Sequence, residues 1–221
     1  MMRLAEDLAL LATNPASGRH AMGQRSALNA CLAGLLLADL VLDDVIQPAD
    51  RANRMVVTGR AEPRTKVLAA ATAVLIEKGP KIRAVLSHMD RGLTHHLGLG
   101  TWDATMAGLV EEGVVAASSA GLRPHHDVVG LHVRDSVIAA LRVAAAGDMD
   151  LDLRTAALLS MVGPAHLLEV VAPDRAGRKH ARERIDHALD ATILEPVGEM
   201  VRRLIAAADT AAGAGSIAAV N

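Results

Sequence analysis

The sequence predicts a mainly α-helical fold: a single globular helical domain around one buried apolar helix, with one or two short β-hairpins. Three observations carry this prediction. Residues 26–46 read SALNACLAGLLLADLVLDDVI, uncharged from Ser26 to Ala38, with Leu28, Leu32, Leu35, Leu36, Leu40 and Val41 spread round the whole helical circumference. A helix without a polar face needs partners on every side. Apolar residues recur at helical spacing through most of the remaining chain. Short β-branched runs occur in two places, each flanking a polar loop. With 221 residues, 51% of them hydrophobic, the chain can enclose such a helix.

A membrane span is the rival reading of residues 26–46. Asn29 and Asp39 interrupt the stretch, and no apolar run reaches the ~18 consecutive residues expected of a span. A buried helix is the preferred reading.

In chain order, residues 4–11 form a short amphipathic helix with Leu4, Leu8 and Leu11 inward and Glu6 and Asp7 away from that face. The cluster Asn14-Pro15-Ala16-Ser17-Gly18 turns the chain, and Ser26 is placed to cap the central helix. Val45-Ile46 and residues 55–58 form a first hairpin. Residues 65–76 are helical, and Glu77-Lys78-Gly79 is a stop signal. Pro80 opens the next helix, which Arg91-Gly92 ends. Thr101 is placed to cap another. Gly113 turns it into a second hairpin, with residues 116–124 as its loop and Val128-Val129 as the return. From Asp135 onward the chain is helical. Asp150 or Asp152 caps residues 153–161, a charged helix covers 175–189, and a last helix covers 197–207. The domain is expected over 1–208, followed by an Ala/Gly-rich tail over 209–221.

Composition narrows the function. Net charge is −2, there is no Phe or Tyr, and Trp102 is the only tryptophan. Aromatic base-stacking platforms cannot be built, so nucleic acid is not an expected partner. Cys31 is the only cysteine, which excludes an internal disulfide and a cysteine zinc cluster. The first residues carry Glu6 and Asp7 where a secretory peptide would be uninterrupted and apolar, and a cytoplasmic location is expected.

The candidate chemistry is sparse. His95-His96 and His125-His126-Asp127 are neighbours in sequence and do not share a helix face, so they read as solvated loop histidines and no metal or other cofactor is expected. Asp39 lies inside an apolar helix and must be paired, hydrogen-bonded or neutral; Arg25 or an arginine from a later helix is the expected partner. No phosphate loop or nucleophile elbow is present. Arg175, Arg178, Lys179, Arg182 and Arg184 form the densest basic segment, and Arg51, Arg54 and Arg60 form a second cluster round the first hairpin. Either is a solvated surface or an anion patch.

The order of pieces resembles one family. LAEDLALLA (4–12), NPASGR (14–19), LAGLLLADLVLDD (32–44), LVEEGVV (109–115) and DLRTAAL (152–158) resemble, in the same order, segments of the Golgi phosphoprotein 3-like family (GPP34 domain). The Ala-, Arg- and Gly-rich composition is similar to that of its bacterial members, and an actinobacterial one is expected. The resemblance implies a mainly helical, non-enzymatic fold. It implies phosphatidylinositol 4-phosphate or another anionic phospholipid as ligand, protein partners recruited to membranes, and self-association through a hairpin. At the positions of the family's lipid pocket stand Gln24, Ala33, Leu99 and Trp102. Arg19, Arg25 and Arg91 lie nearby in the chain and are the candidates for a rebuilt anion site with Gln24 and Trp102. The expected role is a peripheral membrane adaptor at the inner membrane face. The alternative is a cytosolic protein–protein interaction module without lipid binding.

Overall fold

The structure, a computed structural model, describes residues 2–15, 17, 19–20, 25–49, 53–118, 125–147, 151–188 and 196–218. It is a mainly helical domain with small hairpins, built round α2 (Arg25–Leu42). This helix is long and apolar enough to cross a membrane, yet 72% of it is buried inside the protein. The fully apolar circumference is covered by α1 (Leu4–Ala12), α3 (Lys66–Lys78), α4 (Ile82–Leu97), α5 (Thr101–Glu111), α7 (Leu153–Val162) and α10 (Pro196–Ala218).

α1 is buried on every side, between α2, α5, α6 (Leu131–Ala146) and α7. This corrects the expectation that Glu6 and Asp7 face away from the core: they are only 6% and 8% exposed. The physical reason is that each has a partner. Glu6 Oε2 accepts the Arg3 N–H at 2.9 Å, and Asp7 Oδ2 accepts from Arg154 Nη2 at 2.9 Å.

α10 lies along α2, and Gly34 faces Ala208 and Leu204 across this contact. A Cβ there would sit 2.6 Å from the Ala208 Cβ. The last helix therefore extends well past the expected Ala207, and Ala208 and Ala212 are core residues. Alanine and glycine look like a low-complexity end in sequence. In the fold they are what lets two backbones come close.

A second glycine was expected to end α4. Gly92 instead lies inside it, facing α3, where a Cβ would meet the Val74 Cγ2 at 2.2 Å. The helix runs on to Leu97.

The first hairpin pairs β3 (Ile46–Pro48) with β4 (Met55–Val57), antiparallel, with Ile46 opposite Val57. The second pairs β5 (Val115–Ser118) with β6 (His125–Val128), so its strands reach into the stretch expected to be loop. A third, two-residue pair joins β1 (Thr13–Asn14) to β2 (Arg19–His20), where only a turn was expected. α8 (Leu168–Val171) and α9 (Arg175–Ala188) complete the described elements.

The Met55 N–H donates to the Pro80 carbonyl at 2.8 Å and the Ile82 N–H to the Asn53 carbonyl at 3.1 Å. Arg54 and Lys81 face each other between these bonds as an isolated antiparallel bridge. The first hairpin is thereby fastened to the entrance of α4.

Candidate functional site

Three places gather polar or charged groups on this frame. The first is the start of α2, where the family resemblance puts a lipid pocket. Arg25 stands at the first turn of α2, and its Nη2 pairs with Asp103 Oδ2 of α5 at 3.0 Å. Asn29 donates to Asp90 Oδ1 of α4 at 3.1 Å, and the same oxygen accepts the Thr101 N–H at 2.7 Å. Asp90, next to Arg91, thus caps α5 from a neighbouring helix; Thr101, expected to be the cap, is instead the first helical residue, after Gly100. Trp102 is buried and Arg91 exposed. Among the described residues, two arginines here are accompanied by two aspartates, Asp90 and Asp103, so these four carry no net positive charge. The Arg19 backbone pairs with Asn14. Its side chain and all of Gln24 lie outside the described residues, as does Arg51.

The second place is a buried acid cluster under α1. Asp39 is 1% exposed, and its partner is α1 itself: Oδ1 accepts the Leu4 N–H at 3.0 Å and Oδ2 the Ala5 N–H at 3.3 Å. Arg154 of α7 stands 3.7 Å from Oδ1 and also bonds Asp7. The expected arginine from a later helix is therefore present, and Arg25 is elsewhere. Burial pushes Asp39 up to about 7, against the pull of the two N–H groups and of Arg154 and Arg3. Glu6 and Asp7 are raised by burial as well. The carboxylates are spent on capping and pairing, and Asp39 is closed off from solvent.

The third place is a groove of about 680 Å³ between the Arg54–Lys81 bridge, the first turn of α4 and the middle of α10. Five cations line it: Arg54, Lys81, Arg83, Arg202 and Arg203. No Asp or Glu lines it among the described residues. It lies about 13 Å along α4 from Arg91, nine residues away at 1.5 Å each. Only Arg54 was singled out by sequence reasoning. The other cations come from segments more than a hundred residues apart, which no local pattern joins. The available signal was the pair Arg202-Arg203 in a helix rich in alanine.

The basic segment on α9 behaves differently. Arg178 turns back onto the carbonyls of Ala172 and Pro173, and Lys179 pairs with Glu183 at 3.9 Å. His96 Nε2 lies 3.0 Å from Glu77 Oε1. With His95 these three exposed residues place their ligand-type atoms within 4.8 Å of one another, the one such cluster among the described residues.

Compared with known families, residues 4–208 match the one described as Golgi phosphoprotein 3 (GPP34). The chain belongs to the GPP34 family. This is a family of non-catalytic scaffolds with an adaptor-like role. No curated protein sequence matches the chain.

Proposed function

We propose that this GPP34 protein is a non-enzymatic adaptor that attaches peripherally to an anionic phospholipid surface and presents its helical scaffold to a protein partner. The observation that carries the reading is the family match across residues 4–208, nearly the whole described fold. The phosphoinositide chemistry that the resemblance implies supplies the ligand class, with phosphatidylinositol 4-phosphate as its first candidate. On this reading the protein works from the cytoplasm at the inner membrane face. Attachment is electrostatic and reversible, because a chain with net charge −2 is held only by local cations.

The test is co-sedimentation of the pure protein with phosphatidylcholine vesicles, with and without a minor share of phosphatidylinositol 4-phosphate or phosphatidylserine. Pelleting on the anionic vesicles and release by salt are expected, since screening shortens to about 3 Å at 1 M. Pelleting on none of them overturns the membrane reading. It leaves the interaction module, which the paired charges Arg25–Asp103 at the start of α2 favour.

A further inference from the structure

We propose that the groove between the first hairpin, α4 and α10 is a discrete binding site for a phosphate monoester, separate from the start of α2.

The case begins with the Arg54–Lys81 bridge. Its two flanking hydrogen bonds run Met55 N–H to Pro80 and Ile82 N–H to Asn53, so Arg54 and Lys81 themselves exchange none. That is the non-hydrogen-bonded type of antiparallel pair, in which opposite side chains leave the same face and stand closer than in the bonded type. Like charges directly opposite each other are destabilising. A backbone that holds two cations in this register, with Arg83 two residues on, favours an anion placed among them.

The surroundings add to the field. α4 is sixteen residues long and starts at Ile82, so the positive end of its dipole opens at the groove. The Lys81 side chain makes no capping bond to it. α10 contributes Arg202 and Arg203 from the opposite wall. Guanidinium groups bind phosphate oxygens in a fork, and an ammonium adds a point charge. Two to three such contacts match the three terminal oxygens and double charge of a phosphate monoester better than the single charge of a diester or a carboxylate. The volume of about 680 Å³ leaves room for the polyol that would carry it.

A lipid headgroup and a soluble ester both carry this phosphate; the inference rests on the adaptor reading only for the first source. Titration calorimetry with soluble inositol 1,4-bisphosphate, and co-sedimentation with phosphatidylcholine vesicles carrying phosphatidylinositol 4-phosphate or phosphatidylserine, distinguish them. The proteins are the unaltered chain, Arg54→Gln, Lys81→Gln, the double variant and Lys179→Gln on α9. Arg54 is half-buried and Lys81 exposed at the surface, and equal melting temperatures check that the variants fold.

The expected result is one saturable site for the soluble ester, weakened roughly tenfold by each groove variant and more by the double, as expected of charge-assisted bonds, with Lys179→Gln unchanged. If pelleting on the phosphatidylinositol 4-phosphate vesicles falls in the same order, the source is lipid. If the ester binds but no vesicle pellets, the groove stands with a soluble ligand and the membrane reading fails. If vesicles pellet equally with all variants and the ester does not bind, the groove is overturned and the membrane reading stands. Binding of neither overturns both.

Discussion

Asp39 Oδ1 accepts the Leu4 N–H at 3.0 Å, so a carboxylate on the central helix caps the first turn of the helix before it. Oδ2 takes the next N–H, of Ala5, and Arg154 stands behind the pair. Asp39→Ala leaves two buried N–H groups and an arginine without their acceptor. A loss of about 2–4 kcal/mol is expected from the cap and the desolvated donors together. Chemical denaturation checks it. Asp39→Asn keeps one acceptor oxygen and should cost less than half as much.

The same cluster predicts an unusual dependence on pH. Burial raises Asp39 to about 7 from its ordinary 3.8, and raises Glu6 and Asp7 in the same direction. Between those two pH values the folded protein holds more protons than the unfolded chain, so its stability falls as pH rises. The contribution is complete below the unfolded value and lost as pH passes through 7. For Asp39 the loss between pH 5.5 and 8 is about 2 kcal/mol. Melting temperatures across that range should decline, and Asp39→Asn should flatten the decline. A profile that rises through this window contradicts the assignment.

Gly34 sets the distance between α2 and α10. Gly34→Ala places a methyl 2.6 Å from the Ala208 Cβ. Overpacking costs about 1–3 kcal/mol, and better helix propensity returns up to about 1 kcal/mol. The net should be a loss of about 1–2 kcal/mol. The combination with Ala208→Gly should cost less than the two single changes added, because the second removes the methyl that the first strikes. A double-mutant cycle in urea reads this directly.

Arg25 is already neutralised by Asp103 in an exposed pair. Arg25→Ala should change stability by less than about 1 kcal/mol and leave sedimentation with anionic vesicles as it was. A large drop in sedimentation would instead place the headgroup at the start of α2.

Cys31 should be inert. It is fully buried, and burial together with nearby Asp209 pushes its thiol up to about 12. A thiol reagent should leave it unmodified in the native protein and label it once in denaturant.

How far these features were legible follows from what encodes them. α2 was readable because an all-round apolar helix leaves one physical option, enclosure. The need of Asp39 for a partner was readable for the same reason, and Arg154 fits the class expected. That α1 itself supplies two further partners was not readable, since backbone N–H groups carry no sequence. Glu6 and Asp7 were misplaced because periodicity assigns polar residues to water and has no term for Arg154, about 150 residues on. Gly92 was read as a stop because a glycine that makes room for Val74 looks the same in sequence as one that ends a helix. Of the groove only Arg54 was singled out, and its assembly was not readable, for residues 54, 81–83 and 202–203 meet only through the packing of α10 on α2 and the bridge from hairpin to helix.

The place of α10 also bears on how the chain comes to be folded. α2 is made early in synthesis, and the helix that covers the face round Gly34 is made some 160 residues later. Until then that face, with Cys31, Gly34, Leu37 and Ala38, lacks the helix that covers it. The nascent chain must carry it exposed, or shielded by a chaperone, until residues 196–218 have left the ribosome. Closure is thus a late, long-range event, and a stalled or shortened chain would present this uncovered apolar face to the cell.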